Sequence, residues 1–365
     1  MPLKNQQKPL LCFNDKGIYC EAAGVYLDPW KPVDKAIITH GHADHSRWGH
    51  KQYITHHTNV PIIKHRLGDI EVSGKEYGET FSINNVKFTL FPAGHIIGSS
   101  QVRVEHKGEV WVFTGDYKTE DDGLAVPFEP VKCHAFITEC TFGLPAFKWL
   151  PQEQVMNDIN TWWQQNQAEG KSSVLFGYSL GKAQRLLKFL DPSIGKIFTH
   201  GAIENMTEVV RPFASLPETI RITRDTKKEE IRGGMVLAPP SAHGSSWIRK
   251  MVPYETGMAS GWMAFRGARR RRAGDGDADL SAVGEQRPKR AAASCHAVVD
   301  DCCHRHCRYS GPGLRAKKGQ LCHFPWPSSP LCSWRLALAC LLTRLGADLG
   351  DVGFASAGAC YNVAG

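Results

Sequence analysis

The sequence predicts a layered α/β protein whose functional groups sit along one edge of its sheets. Three observations predict it. Short apolar runs of strand character recur up to about residue 140, and four of them end in His, Asp or Glu. One of those ends carries a dense polar motif, His40-x-His42-x-Asp44-His45. From about residue 150 the pattern changes to alternating helices and strands, as in a doubly wound sheet.

The 365 residues suffice for two domains or one large elaborated domain. Apolar content, 42%, is ordinary for a globular protein. The start, Met1 to Gln7, is polar and does not read as a signal peptide. The longest apolar candidate for a membrane span, Trp334 to Leu342, is short and carries Arg335. A cytoplasmic protein without a membrane partner is expected. The formal charge of +8 is compatible with a nucleic-acid partner. Four of the twelve cysteines precede residue 290, which fits reduced thiols in that part of the chain.

Taken in order, Gly17–Ala22 and Gly24–Asp28 read as short strands, and Asp28-Pro29 as a turn. The run Ala36–Thr39 is a buried strand that delivers the motif. Two histidines two residues apart on an extended segment project to one side. Imidazole and carboxylate ligands at this density suit zinc, manganese or iron. Gln52–Thr55 and Val60–Ile63 read as strands. Phe81–Phe91 reads as a hairpin over Asn84-Asn85, and Val102–Phe113 as another. Beyond them stand three more strand ends. His95 lies between Gly94 and Gly98, Asp116 follows Gly115, and Glu139 follows the strand Ala135–Thr138. Asp116 can bridge two metal ions, because each carboxylate oxygen can take one. His56, His57 and His65 show no partner pattern and read as surface.

These residues carry a resemblance. His40-x-His42-x-Asp44-His45, then Gly94-His95, then Gly115-Asp116 resemble the metallo-β-lactamase superfamily. Glu139-Cys140-Thr141-Phe142-Gly143 is similar to the acidic motif of its β-CASP nucleases. Tyr178-Ser179-Leu180-Gly181-Lys182-Ala183-Gln184-Arg185 and Ala259-Ser260-Gly261-Trp262-Met263 look like bacterial ligase-associated DNA exonucleases. The likeness runs from residue 8 to about 273. It implies an αββα sandwich over 1–149, an inserted α/β cassette over 150–260 and a return to the hydrolase domain from 261. It implies two zinc ions, with Mn2+ as an alternative metal. One would be held by His40, His42 and His95, the other by Asp44 and His45, with Asp116 between them. It further implies metal-bound hydroxide attacking phosphorus, Asp44 orienting the water and Glu139 supporting a later histidine. Nucleic acid, DNA before RNA, is the implied substrate, and an ATP-dependent DNA ligase and a helicase are the implied partners.

The cassette reads as helix Gln152–Gln167, strand Ser173–Tyr178, helix Gly181–Leu190, and strands Lys196–Thr199 and Met235–Pro239. Lys182 and Arg185 at a helix start are candidate nucleic-acid contacts, and Arg269–Arg272 could track a backbone. His200 and His243 read as structural. Trp162 and Trp163, adjacent on a helix, cannot share a face, so at least one belongs to the core.

After Arg272 the composition shifts. Residues 274–365 are rich in Ala, Gly, Arg, Pro and Cys, with eight cysteines between Cys295 and Cys360. The histidine expected to complete the second metal position is missing there. The shift fits coding sequence read in another frame, with a disordered product. A zinc knuckle around Cys302, Cys303, His304, His306 and Cys307 is the rival reading, though its donors are crowded and irregular. A single tightly held zinc and weak nuclease activity are therefore expected. The alternatives are an RNA-processing ribonuclease and a degenerate product that binds nucleic acid without cutting it. A small-molecule hydrolase fits less well, since such relatives lack the cassette and the Glu139 motif.

Overall fold

The computed structural model describes residues 8–139, 141 and 150–259, and the backbone of Tyr361–Val363. The chain divides into two compact units, Met1–Leu144 with Asp300–Gly365, and Pro145–Val299.

In the first unit, one sheet is laid down in chain order. It comprises β1 (Cys12–Asn14), β2 (Gly17–Cys20), β3 (Val25–Leu27), β4 (Lys35–Ile37), β5 (Gln52–His56) and, after helix α1 (Asn59–Leu67), β6 (Val72–Lys75). The first three strands are antiparallel, and β3 to β6 are parallel. The other sheet holds β7 (Thr80–Ile83), β8 (Val86–Pro92), β9 (Ser100–His106), β10 (Glu109–Phe113) and β11 (Ala135–Ile137). It is antiparallel up to β10, and β11 joins parallel. Asn84 and Asn85 both take positive φ, 48° and 64°, as a tight hairpin turn requires.

The two sheets share one apolar core. Leu27 and Ile37 come from the first, and Phe88, Leu90, Val102 and Val104 from the second. Strand β8 shows the cause. Val86, Phe88 and Leu90 alternate inward with no exposure, while Lys87 faces water. Truncating Phe88 to Ala would cost about 3–5 kcal/mol. The outer face of the first sheet buries Ala36, Ile38 and Tyr53 against Ile63 of α1. The expected strand over Val60–Ile63 is therefore a helix. Asn59, Ile62 and Ile63 form its buried face, and Pro61 sits in the first turn, where the missing N–H costs nothing.

The second unit is a wound parallel sheet. Helix α2 (Gln152–Ala168) leads to β12 (Ser172–Phe176), α3 (Lys182–Phe189), β13 (Ile197–Thr199) and α4 (Gly201–Val210). Then come β14 (Ile220–Arg221), α5 (Lys228–Ile231), β15 (Met235–Ala238) and β16 (Tyr254–Met258). The strand order is β14-β13-β15-β12-β16, parallel throughout. Each face carries its own core. Leu175 and Leu237 pack with Ile159, Trp163 and Leu186 on one side, and Val174, Phe176 and Val236 with Ile248 on the other. Strands buried on both faces read as unbroken apolar runs, as this sequence does. Trp163 is fully buried and its Nε1 donates to Gly233 O at 3.0 Å, while Trp162 is only partly covered.

Cys140, residues 142–149 and residues 260–360 lie outside the described residues, and with them Arg269–Arg272 and the Cys/His-rich stretch. Of the tail, Tyr361–Val363 form β17, which pairs antiparallel with β11. Among the described residues no helix is long and apolar enough to cross a membrane.

Candidate metal centre

The centre is built from the ends of three strands of the first unit. Strand β4 runs into Thr39 and His40, β8 into Gly94 and His95, and β10 into Gly115 and Asp116. The strands are rigid, so the groups at their ends are delivered to fixed places. Backbone bonds tie the loops together. Ser100 N donates to Thr39 O at 2.9 Å, and Lys118 N to Ala93 O at 2.9 Å. Gly115 has φ +56°, and a Cβ there would lie 2.5 Å from Thr39 Oγ1. Only glycine lets the Asp116 loop approach the His40 loop this closely.

Three imidazoles and a carboxylate meet at this point. His42 Nδ1 lies 3.0 Å from His40 Nε2 and 3.1 Å from His95 Nε2. Asp116 Oδ2 is 3.7 Å from both His40 Nε2 and His95 Nε2. The four donor atoms fall within 4.8 Å of one another. The other oxygen of Asp116, Oδ1, faces His45 Nε2 at 3.1 Å. One carboxylate thus presents an oxygen to each of two sets of imidazole nitrogens.

The electrostatics follow from burial. Desolvation pushes His40 well below its ordinary pKa and His95 down to about 3, so both are neutral, with lone pairs free to ligate. Burial also works against a proton on His45, but Asp116 and Asp28 on either side outweigh it and hold that pKa well above the usual value. Burial would raise Asp116, yet His45, His40 and His95 around it keep it well below the carboxylate range. Ring nitrogens facing each other at 3.0 Å inside a buried cluster can share a proton or converge on one cation. His95 Nδ1 is buried and has no hydrogen-bond partner among the described residues. Three imidazoles, two of them held neutral by burial, and a carboxylate fit zinc or a similar divalent ion.

Asp28 is the residue that sequence reasoning missed. It follows β3, takes a positive φ of 40° and is buried. Oδ1 accepts from Thr39 N at 2.7 Å, and Oδ2 meets His45 Nδ1 at 2.7 Å. The contact engages Nδ1 of His45 and directs Nε2 toward Asp116. Asp28 also lies near His40 and His45 as a possible ligand set, but both its oxygens are already engaged with Thr39 and His45. Its signal in the sequence was an Asp at a strand end, the same signal that marked Asp116, masked by the turn reading of Asp28-Pro29.

The remaining candidates sit elsewhere. Asp44 is largely exposed, with Oδ2 3.8 Å from His45 Nε2, at the rim of the cluster. Glu139 is buried, and its Oε2 accepts from Thr141 N at 2.7 Å. In the second unit Arg185 is buried, and its Nε donates to Gln152 Oε1 at 2.7 Å, so this guanidinium braces two helices and does not project as the expected surface contact. Lys182 is half-buried at the start of α3. His200 and His243 act structurally: His200 Nδ1 caps α4 by accepting from Ala202 N at 3.1 Å, and His243 meets the Phe176 ring edge-on.

No family model matches the chain. A protein described as a probable DNA ligase, from Opitutus terrae, is 32% identical over 257 residues, which is 69% of this chain and 25% of that protein. An endoribonuclease YSH1 from Mycosarcoma maydis is 26% identical over 234 residues, 52% of this chain and 26% of its own length. The endoribonuclease YSH1 of Gibberella zeae is 33% identical over 131 residues, covering 34% of this chain and 15% of its own. The chain thus spans about a quarter of the length of the first two relatives.

Proposed function

Because this chain belongs to the metallo-β-lactamase superfamily and its β-CASP nucleases, we propose that it is a metal-dependent phosphodiesterase acting on nucleic acid, and that its substrate is DNA, taken from an end. The observation that carries the reading is Asp116, whose two oxygens face His40 and His95 on one side and His45 on the other. That arrangement suits a pair of ions.

The proposed ligands are His40, His42 and His95 for one ion, and His45 with Asp44 for the other, bridged by Asp116. Divalent ions bound there would lower the pKa of water and offset charge on the phosphate oxygens. The chain's own groups do the rest. Burial keeps His40 and His95 neutral and available. Asp28 holds His45 in the orientation that turns Nε2 inward. Asp44, exposed at the rim, is the proposed group for orienting an attacking water. Among the described residues no further histidine joins the His45 side, so the ion proposed there would be the more weakly held of the two.

The DNA reading is supported by the relative described as a DNA ligase, which matches 257 residues of this chain. A second reading, RNA cleavage, is favoured by the relatives described as endoribonucleases. End-labelled single-stranded DNA and RNA, incubated with the chain in Zn2+ or Mn2+, separate the two. A ladder of products shortened from one end of DNA is expected. Internal cuts confined to RNA would overturn the DNA reading. Binding with no cleavage of either would overturn the enzyme reading.

A further inference from the structure

A second group of donors lies apart from the centre and has no part in the reading above. His56, His57 and Glu76 bring one ligand atom each to within 4.8 Å of one another. His56 ends β5 and is buried at 3% exposure, His57 follows it in the open, and Glu76 lies one residue past β6. Both histidines read in the sequence as surface residues without a partner pattern; His57 is at the surface with Glu76 beside it, while His56 is buried, which corrects the reading for that residue. Strands β5 and β6 run parallel, so their ends bring the three residues to the same edge of the sheet.

The group is held in place before any ligand arrives. The His56 ring stacks on Tyr77 with centroids 3.6 Å apart and planes 15° apart, and its Nδ1 meets Thr58 Oγ1 at 2.9 Å. His57 N donates to Lys75 O at 3.0 Å, which pins the turn after β5 to the end of β6. His57 Nδ1 already faces Glu76 Oε2 at 2.9 Å. Desolvation, with His57 beside it, pushes His56 down to about 4, which leaves a neutral ring at pH 7. The cation nearest in sequence, Lys75, is directed elsewhere: its ammonium pairs with Glu79 at 2.7 Å and lies over the Phe81 ring. It therefore does not occupy the carboxylate of Glu76.

We propose that His56, His57 and Glu76 form a further divalent-cation site, for zinc or a metal of similar ligand preference. Two imidazoles and one carboxylate are a donor set that zinc accepts, with a position left for water. The site adjoins the support of the main centre. Tyr77, next to Glu76, donates from its hydroxyl to Ser99 O at 2.8 Å, and Ser99 Oγ accepts from His95 N at 3.0 Å and Ile96 N at 3.2 Å. An ion held here would clamp the start of α1 to the segment that props the His95 loop. The proposal is independent of the nuclease reading and stands whether or not the chain cuts nucleic acid.

The test is equilibrium dialysis of the full chain against Zn2+, with bound metal counted by atomic spectroscopy. Other thiols and histidines contribute equally in every variant, so the difference is the readout. His57→Ala and Glu76→Gln should each hold one zinc equivalent fewer than the unaltered chain. His65→Ala, which removes an exposed histidine of α1 outside the group, should hold the same number. Glu76→Gln keeps the size of an exposed side chain, so its loss of metal would not reflect misfolding. Equal zinc content in all four proteins would overturn the proposal, as would an equal loss in His65→Ala. With Cu2+ as the probe, electron paramagnetic resonance should show a two-nitrogen signal that His57→Ala removes, and persistence of that signal would also overturn it.

Discussion

Both units place histidines just past the ends of sheet strands, and the two outcomes differ. In the first unit His40 and His95 follow β4 and β8 and meet around Asp116. In the second, His200 follows β13 and His243 follows β15, and among the described residues neither joins a cluster of three donors. His200 caps a helix and touches Trp247 edge-on, and His243 packs on Phe176. A histidine at a strand end is therefore an opportunity and not yet a site. What sets the first unit apart is a carboxylate delivered from another strand end with both oxygens directed at imidazoles, and a second carboxylate that fixes which nitrogen His45 turns inward.

The largest effect should come from removing the group that makes the difference. Asp116→Asn keeps the shape but takes away the charge shared by the two sides. Phosphodiester hydrolysis should fall by about 10³-fold, and metal content should drop with it. Measurement of bound zinc alongside cleavage of a labelled oligonucleotide checks this. Full metal content with full activity would show that the convergence around Asp116 is not what separates the two units.

Asp28→Asn probes the orienting carboxylate. An amide nitrogen can be turned toward His45 Nδ1, and the ring is then free to offer the wrong nitrogen. Metal affinity should weaken about 10- to 100-fold, as is usual when a partner behind a ligand is lost. A zinc titration against a competing chelator reads the change directly. An unaltered affinity would assign Asp28 to holding the Thr39 backbone alone.

Much of the first unit was legible because the pattern is local. His40, His42 and His45 fall within six residues, and His95 and Asp116 each end an apolar run flanked by glycine. The Asn84-Asn85 hairpin was legible for the same reason, since both asparagines accept positive φ. Asp28 was not, because its role depends on contact with His45 seventeen positions away, and a turn aspartate before proline needs no further explanation. The helix at Asn59–Leu67 was missed because its β-branched residues favour a strand locally, and burial of Ile62 and Ile63 overrides that preference. Arg185 was misplaced for a similar reason. Its charge suggested a surface, but Gln152 supplies an acceptor inside the fold.

A buried histidine without a metal role sharpens the comparison from within the first unit. His50 is 7% exposed, and its Nδ1 accepts from Val33 N at 3.3 Å. Burial lowers its pKa to about 4, against about 6.5 in an unfolded chain. Above pH 6.5 both states are neutral there and stability is flat. As pH falls from 6.5 toward 4, the unfolded chain takes up a proton that the fold refuses, and stability is lost. The slope is at most about 1.4 kcal/mol per pH unit for this one group. His50→Asn keeps an acceptor near Nδ1 and removes the titration. Urea denaturation at pH 6.5 and 5.5 should show a loss smaller in the variant by about 1 kcal/mol, since the unfolded histidine is already half protonated at pH 6.5. Equal losses would place the acid sensitivity in groups other than His50, among them His56 and the histidines around Asp116.

The smallest effect belongs to the second unit. His200→Ala removes the acceptor that satisfies Ala202 N at the start of α4. Loss of such a cap costs about 1 kcal/mol, seen as a shifted urea midpoint, and His200→Asn should recover it because its side-chain oxygen can cap the same N–H. Bound zinc should not change in either variant. This pairing of results distinguishes the two uses of a strand-end histidine. At His40 a change should remove metal if the ring nitrogen has its proposed role as donor to a shared ion, whereas at His200 the ring nitrogen is already occupied by the backbone N–H of Ala202. A loss of zinc in His200→Ala, with stability unchanged, would mean that the cap is incidental and that the second unit contributes to metal binding after all.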